Sequence, residues 1–179
     1  MDVFLVGFMG CGKSTLGKKL SARLNCPLYD TDRETEILAG LSIPEIFASY
    51  GEAYFREKET EALHRVAELP DVDFRIVVTG GGLATHHNNM DWMNGHGRSV
   101  YLSLPPEVLI SRLKEDQNRS VRPLLKSLHT DGQLRQFVTE KLSEREIFYR
   151  QATLTFNPLQ ENITTLVSQI INLGSCNRH

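Results

Sequence analysis

The chain has 179 residues, 40 % of them hydrophobic and 23 % charged, with a formal net charge of −2. That balance suits one soluble globular domain, large enough to bury roughly two-thirds of its unfolded surface, and excludes a broad basic face for nucleic acid or acidic lipid. No apolar run approaches the ~20 residues a membrane span needs, and Cys11, Cys26 and Cys176, widely spaced and odd in number, form neither a disulfide framework nor a zinc-ligand spacing.

The first strand is expected at Val3-Phe4-Leu5-Val6, a short apolar run that leaves no room for a signal peptide. A reducing cytoplasm is the natural compartment for the three thiols. The strand leads into Gly7-Phe8-Met9-Gly10-Cys11-Gly12-Lys13-Ser14, followed by Thr15, which fits the phosphate-binding pattern G-x-x-x-x-G-K-[ST]. Glycines let successive backbone N–H groups turn toward an anion. The helix that follows, marked by Leu16, Leu20 and Leu24, adds the positive end of its dipole. Lys13 is placed to reach the outer phosphates and Ser14 to offer a hydroxyl to Mg²⁺. Cys11 fits the loop as a small side chain. Binding of a nucleoside triphosphate is the expectation.

A short second strand is expected at Pro27-Leu28-Tyr29, ending at Asp30-Thr31-Asp32, then a helix from Arg33 to Ala39 stopped by Gly40. Ser42-Ile43-Pro44-Glu45 reads as a capping box that starts a short helix ending near Gly51. A charged helix over 52–68 buries Phe55, Ala62, Leu63 and Val66. Phe74 to Thr79 is the third strand, breaking into Gly80-Gly81-Gly82. The adjacent pair His86-His87 does not face one way on a helix and reads as surface. Ser99 to Leu104 is the fourth strand, and Pro106 opens a helix through Lys114. Residues 115–130, polar and without periodicity, read as a mobile loop. A helix follows over 131–150 with Leu134, Phe137, Val138 and Leu142 as its apolar face, then a fifth strand over 152–156. The last helix spans 162–173, carries Ile163, Leu166, Val167 and Ile170, and is ended by Gly174; the last five residues are expected to fray. Strands alternating with helices predict a parallel α/β sheet covered on both faces.

In such sheets ligands lie beyond the carboxyl ends of the strands. The phosphate loop, Asp30-Thr31-Asp32, Gly80-Gly81-Gly82 and the basic loop with Arg119 and Arg122 all fall there. Two carboxylates at i, i+2 can divide their work, one holding Mg²⁺ through its waters and the other accepting a proton from an attacking hydroxyl. The same spacing serves equally as a turn or a helix cap. The triple glycine opens backbone to a ligand, or is simply a flexible turn. Arg56, Arg122 and Arg145 stand beside aromatic or apolar residues and are candidate clamps for carboxylate or phosphate, although a lone arginine is commonly a solvated surface group.

Taken in order, Gly7 to Thr15, Asp30-Thr31-Asp32, Ser42-Ile43 with Ile46-Phe47, Gly51-Glu52 with Phe55-Arg56, Thr79 to Gly82, Arg122-Pro123-Leu124-Leu125, and Arg145 with Tyr149 resemble shikimate kinase along nearly the whole chain. The resemblance implies a P-loop kinase of three layers, α/β/α, with a five-stranded parallel sheet. One domain over 1–179 would carry a helical substrate-binding region at about 32–62 and a mobile lid at about 113–130. It implies transfer of the ATP γ-phosphate to the 3-hydroxyl of shikimate, in the chorismate and aromatic amino-acid pathway, by a cytoplasmic monomer. Gly10, Cys11, Gly12, Lys13, Ser14 and Thr15 would cradle the nucleotide, with Ser14 and Asp30 serving Mg²⁺. Asp32 would be the base; Arg56 and Arg145 would grip the carboxylate beside Gly80, Gly81 and Gly82; Arg122 would steady the transferring group. The approach to the lid, Lys114 to Arg119, departs from the commonest form, so Arg112 or Arg119 would stack on adenine, with Asn157 near the same site. Cys11 replaces a more usual small residue. The alternatives are a kinase for another small polyol acid such as gluconate, or a non-catalytic nucleotide-binding regulator; no Asn-Lys-x-Asp guanine-reading motif is present.

Overall fold

The computed structural model describes residues 1–116 and 123–175. Its centre is a five-stranded, all-parallel sheet in the order β2-β3-β1-β4-β5. The strands are β1 (Asp2–Val6), β2 (Leu28–Asp30), β3 (Arg75–Val78), β4 (Gly97–Leu102) and β5 (Leu154–Phe156). The helices are α1 (Lys13–Leu24), α2 (Thr31–Ala39), α3 (Ile43–Ala67), α4 (Asn89–His96), α5 (Pro106–Glu115), α6 (Asp131–Tyr149) and α7 (Ile163–Ser175), with 3₁₀ turns at Leu83–Thr85 and Pro123–Leu125.

β1 is buried along its whole length, as a central strand covered on both faces must be. Its neighbouring side chains alternate between two helical layers. The ring of Phe4 meets Trp92 of α4 edge-on at a centroid distance of 6.2 Å. Leu5 points the other way, toward Gly17 of α1. At Gly17 the helix lies so close to the sheet that a Cβ would stand 2.7 Å from Val78 Cγ2 and 3.1 Å from Leu28 Cδ1. All carboxyl ends of the strands face one edge, so the segments after β1, β2 and β3 meet there.

The expected five-stranded α/β architecture is present, with differences at the boundaries. α2 starts two residues earlier than expected because Asp30, the last residue of β2, caps it, accepting a hydrogen bond from the Asp32 amide at 3.0 Å. The capping box at Ser42 and Glu45 is formed. The two helices expected on either side of Gly51 are present as the two halves of α3, which meet at a kink where Gly51 leaves helical geometry (φ 79°, ψ 179°). α4 was not expected: its N-cap, Asn88, is left-handed and makes no side-chain cap bond, so the sequence carries no start signal there. Gly174 lies inside α7 rather than ending it. Arg119, Arg122 and Cys176 lie outside the described residues, as do residues 117–122 of the expected lid and four of the five expected frayed residues.

Gly17→Ala is expected to destabilise the fold. The methyl group must displace Val78 at a cost of typically 1–3 kcal/mol, against a gain in helix propensity of about 1 kcal/mol. A lower urea midpoint with unchanged m-value is the expected result; a raised midpoint would show slack between α1 and the sheet.

Candidate active site

The loop between β1 and α1 takes its shape from Gly7, Gly10 and Gly12, whose φ angles of 143°, 79° and 101° lie where side chains are strained. Lys13 folds back over this loop, its Nζ donating to the carbonyls of Gly7 (2.7 Å) and Phe8 (3.1 Å). Gly10, Gly12, Lys13, Ser14 and Thr15 line a cavity of about 280 Å³ whose far wall is Asp30, Asp32 and Thr79 to Gly81. Cys11 is buried and faces inward, its Sγ 3.9 Å from Lys13 Nζ, so a small side chain is what the loop admits there.

A second cavity, about 270 Å³, adjoins the first. Its polar lining is Asp32, Glu36, Arg56, Glu59 and Arg145, its floor is Gly80 to Gly82, and its apolar wall includes Ile43, Phe47, Phe55 and Leu124. Met9, Asp32, Gly80 and Gly81 belong to both cavities. The two guanidinium groups expected to act together do converge. Arg56 lies so close to Gly82 that a Cβ there would meet its Nη1 at 2.6 Å. Arg145 Nη1 donates to the carbonyl of Gly81 at 3.3 Å. At Gly82, as at Gly80, a Cβ would overlap a charged side chain, so the chain's own polar groups approach this backbone closely.

Glu59 and Thr31 are site residues the sequence reading missed. Glu59 is 1 % exposed and its Oε2 accepts from Arg56 Nη1 at 2.7 Å, while Glu52 takes the other side of the same guanidinium. Its Oε1 is buried without a hydrogen-bond partner. Gly80 passes between Glu59 and Asp32: a Cβ would lie 2.0 Å from Glu59 Oε1 and 2.6 Å from Asp32 Oδ1. Thr31, fully buried, accepts from the Gly80 amide through its hydroxyl at 3.0 Å and so ties the glycine strand end to the start of α2. The signal available in sequence was the spacing of Glu59 three residues after Arg56, one helical neighbour away.

Burial pushes the Glu59 carboxyl up to about 7; the Arg56 charge opposes the shift and the Asp32 carboxylate adds to it. Burial also raises the Asp30 carboxyl, against the pull of the Asp32 amide and of Lys13. Asp30 and Ser14 stand together in the first cavity. One carboxylate and one hydroxyl beside a phosphate-sized space fit an ion that keeps several waters and shares phosphate oxygens, as Mg²⁺ does. Among the described residues no group of three or more His, Cys, Asp or Glu side chains could hold a metal unaided.

The remaining expected residues have these places. Arg112 Nη1 donates to the Cys11 carbonyl at 3.1 Å, which sets it against the phosphate loop. Asn157 follows β5, where its Oδ1 accepts from the Leu159 amide and builds a turn. His86 is half-buried and His87 exposed, neither in a metal cluster.

The Glu59 shift has a definite sign in stability. Between the ordinary carboxyl value and about 7 the folded state holds a proton that the unfolded chain has lost, so its contribution to stability falls as pH rises through that window. Glu59→Gln keeps an acceptor for Arg56 and removes the titration. Relative to wild type, the variant should gain stability from pH 5 up to about pH 7 and level off above it in urea unfolding; parallel pH curves would show that Glu59 titrates as an ordinary carboxylate.

The sequence model of the shikimate kinase family matches residues 9–173. A shikimate kinase from Bacteroides thetaiotaomicron is 40% identical over 155 residues, covering 87% of this chain and 85% of the relative. One from Aquifex aeolicus is 44% identical over 126 residues, covering 70% of this chain and 71% of the relative. Among solved structures, shikimate kinase from B. thetaiotaomicron superposes with a TM-score of 0.83 at 37% identity, covering 97% of both chains. The enzyme from Acinetobacter baumannii, in complex with shikimate, gives 0.80 at 32% identity over 99% of this chain and 94% of that one. With a phosphate loop and an arginine-lined pocket meeting at one wall, this chain belongs to the shikimate kinase family and is an enzyme of ATP-dependent shikimate phosphorylation.

Proposed function

We propose that the first cavity holds the triphosphate of ATP, the second holds shikimate, and the γ-phosphoryl group crosses between them to the 3-hydroxyl. The observation that carries this reading is the shared wall: Asp32, Gly80 and Gly81 line both cavities, so an acceptor in one faces a phosphate in the other. Arg56 and Arg145 grip the shikimate carboxylate, their planar forks matching its two oxygens. The shikimate complex of the A. baumannii relative supports that choice of acid over gluconate.

Asp32 accepts the proton of the 3-hydroxyl as its oxygen bonds to the γ-phosphorus; the bond to the bridging oxygen breaks and ADP leaves. Lys13 and the amides of Gly10, Cys11, Gly12, Ser14 and Thr15 neutralise and align the phosphates, which is most of what phosphoryl transfer asks of a protein. Ser14 and Asp30 hold Mg²⁺, which supplies further charge neutralisation when bound. Arg122 and Arg119, outside the described residues, belong to a lid over about 113–130; Arg122 steadies the transferring phosphoryl, and Arg112 or Arg119 stacks on adenine beside Asn157. The substrate-binding region is about 32–62. The same reading has a single-domain monomer working in the cytoplasm, in keeping with a site drawn from one chain, a net charge of −2 and no described helix long and apolar enough to cross a membrane.

A coupled ADP-release assay with MgATP should show turnover with shikimate and little with quinate, gluconate or no acceptor; acceptor-independent hydrolysis would contradict the reading. Within that assay Asp32→Asn is expected to lose about 10²–10⁴ in kcat with the shikimate KM nearly kept. Arg56→Ala should chiefly raise that KM, by about 10- to 100-fold, the worth of a charge-assisted bond. Equal losses in both parameters for both variants would reject this division of work.

A further inference from the structure

Tyr149 closes α6 and is fully buried. Its ring packs against Tyr101 at a centroid distance of 5.3 Å, and its hydroxyl donates to the carbonyl of Gly81, the oxygen that Arg145 Nη1 also reaches. Burial raises the Tyr149 phenol above its ordinary range, so the hydroxyl keeps its proton and remains a donor. Nothing in the phosphoryl-transfer scheme uses this group.

Gly81 and Gly82 have no Cβ to resist rotation of the peptide between them, so hydrogen bonds must hold it. The described peptides are trans, this one included, and holding the Gly81 carbonyl against α6 therefore turns the Gly82 amide the opposite way, away from Tyr149. Rotating that peptide would strand a fully buried hydroxyl. Both glycines form the floor of the cavity that Arg56 and Arg145 line. We infer that Tyr149 is a positioning residue: it locks the Gly81–Gly82 peptide in one orientation, and with it the floor on which the acceptor acid rests. This rests on the reading of that cavity as the shikimate site.

The test is steady-state kinetics of Tyr149→Phe. A hydroxyl-to-carbonyl bond that keeps the peptide in its competent orientation should, once lost, raise the apparent shikimate constant about three- to tenfold, because only part of the population then presents the correct floor. The KM for MgATP and the kcat at saturating shikimate should stay within twofold. Tyr101→Phe, which removes a neighbouring phenol bonded to Glu146 Oε1 instead of the glycine loop, should leave the shikimate KM unchanged. An unaltered shikimate KM in Tyr149→Phe overturns the proposal, and so does an equal rise for both substrates, which marks a merely structural role. Should the Phe variant fail to fold, Tyr149→Met fills the ring's space without a donor and is judged by the same split. Absence of shikimate-dependent turnover in the wild-type enzyme would instead refute the function, a different result from either.

Discussion

The site depends on how closely charged side chains can approach a strand end that has no side chains of its own. Gly80 runs between the carboxylates of Asp32 and Glu59, and Gly82 lies under the guanidinium of Arg56. In that space an alanine methyl would overlap an oxygen at 2.0 Å on one glycine and a nitrogen at 2.6 Å on the other. Asp32, Glu59 and Arg56 in the second cavity are arranged around this bare backbone. The arginines can converge only because it is thin, and the two cavities share a wall only because it is the wall.

Packing so many charges together carries an electrostatic cost that the structure distributes. Arg56 is buried between Glu59 and Glu52; burial works against its charge, yet the two carboxylates outweigh it and raise its pKa. Glu59 is more deeply buried than Glu52, and one of its oxygens has no hydrogen-bond partner. Breaking such a pair from one side leaves an uncompensated charge, which is more expensive than the pair is stabilising. The sheet beneath has β1 and β3 buried throughout, and α2, α3 and α6 bring their charges to its one edge.

Much of this was legible before any coordinates. The strand, glycine loop and helix around Lys13 announce themselves because each of the three obeys its own local rule and they occur in the right order. Asp32, Arg56, Arg145 and the triple glycine could be named, yet their meeting could not, since convergence is a property of the sheet order and not of spacing along the chain. Glu59 was hidden for a simple reason: it sits among Glu52, Glu57 and Glu61 on one charged helix, and its spacing from Arg56 is shared in kind by Glu52, four residues before that arginine, so spacing alone does not mark which of these turns inward. Thr31 was passed over because the reading ended the strand there and did not see Asp30 capping a helix from the strand's last position. α4 escaped because it opens without a capping side chain and contains Gly95.

The central claim is that acceptor binding requires an unsubstituted backbone at Gly80, and calorimetric titration of Gly80→Ala tests it most directly. Its φ lies outside the left-handed region, so alanine is sterically acceptable to the main chain itself and the variant is expected to fold. Shikimate affinity should fall at least tenfold as the methyl displaces Asp32 and Glu59, with MgADP bound within about threefold of wild type. Wild-type shikimate affinity in this variant would contradict the account.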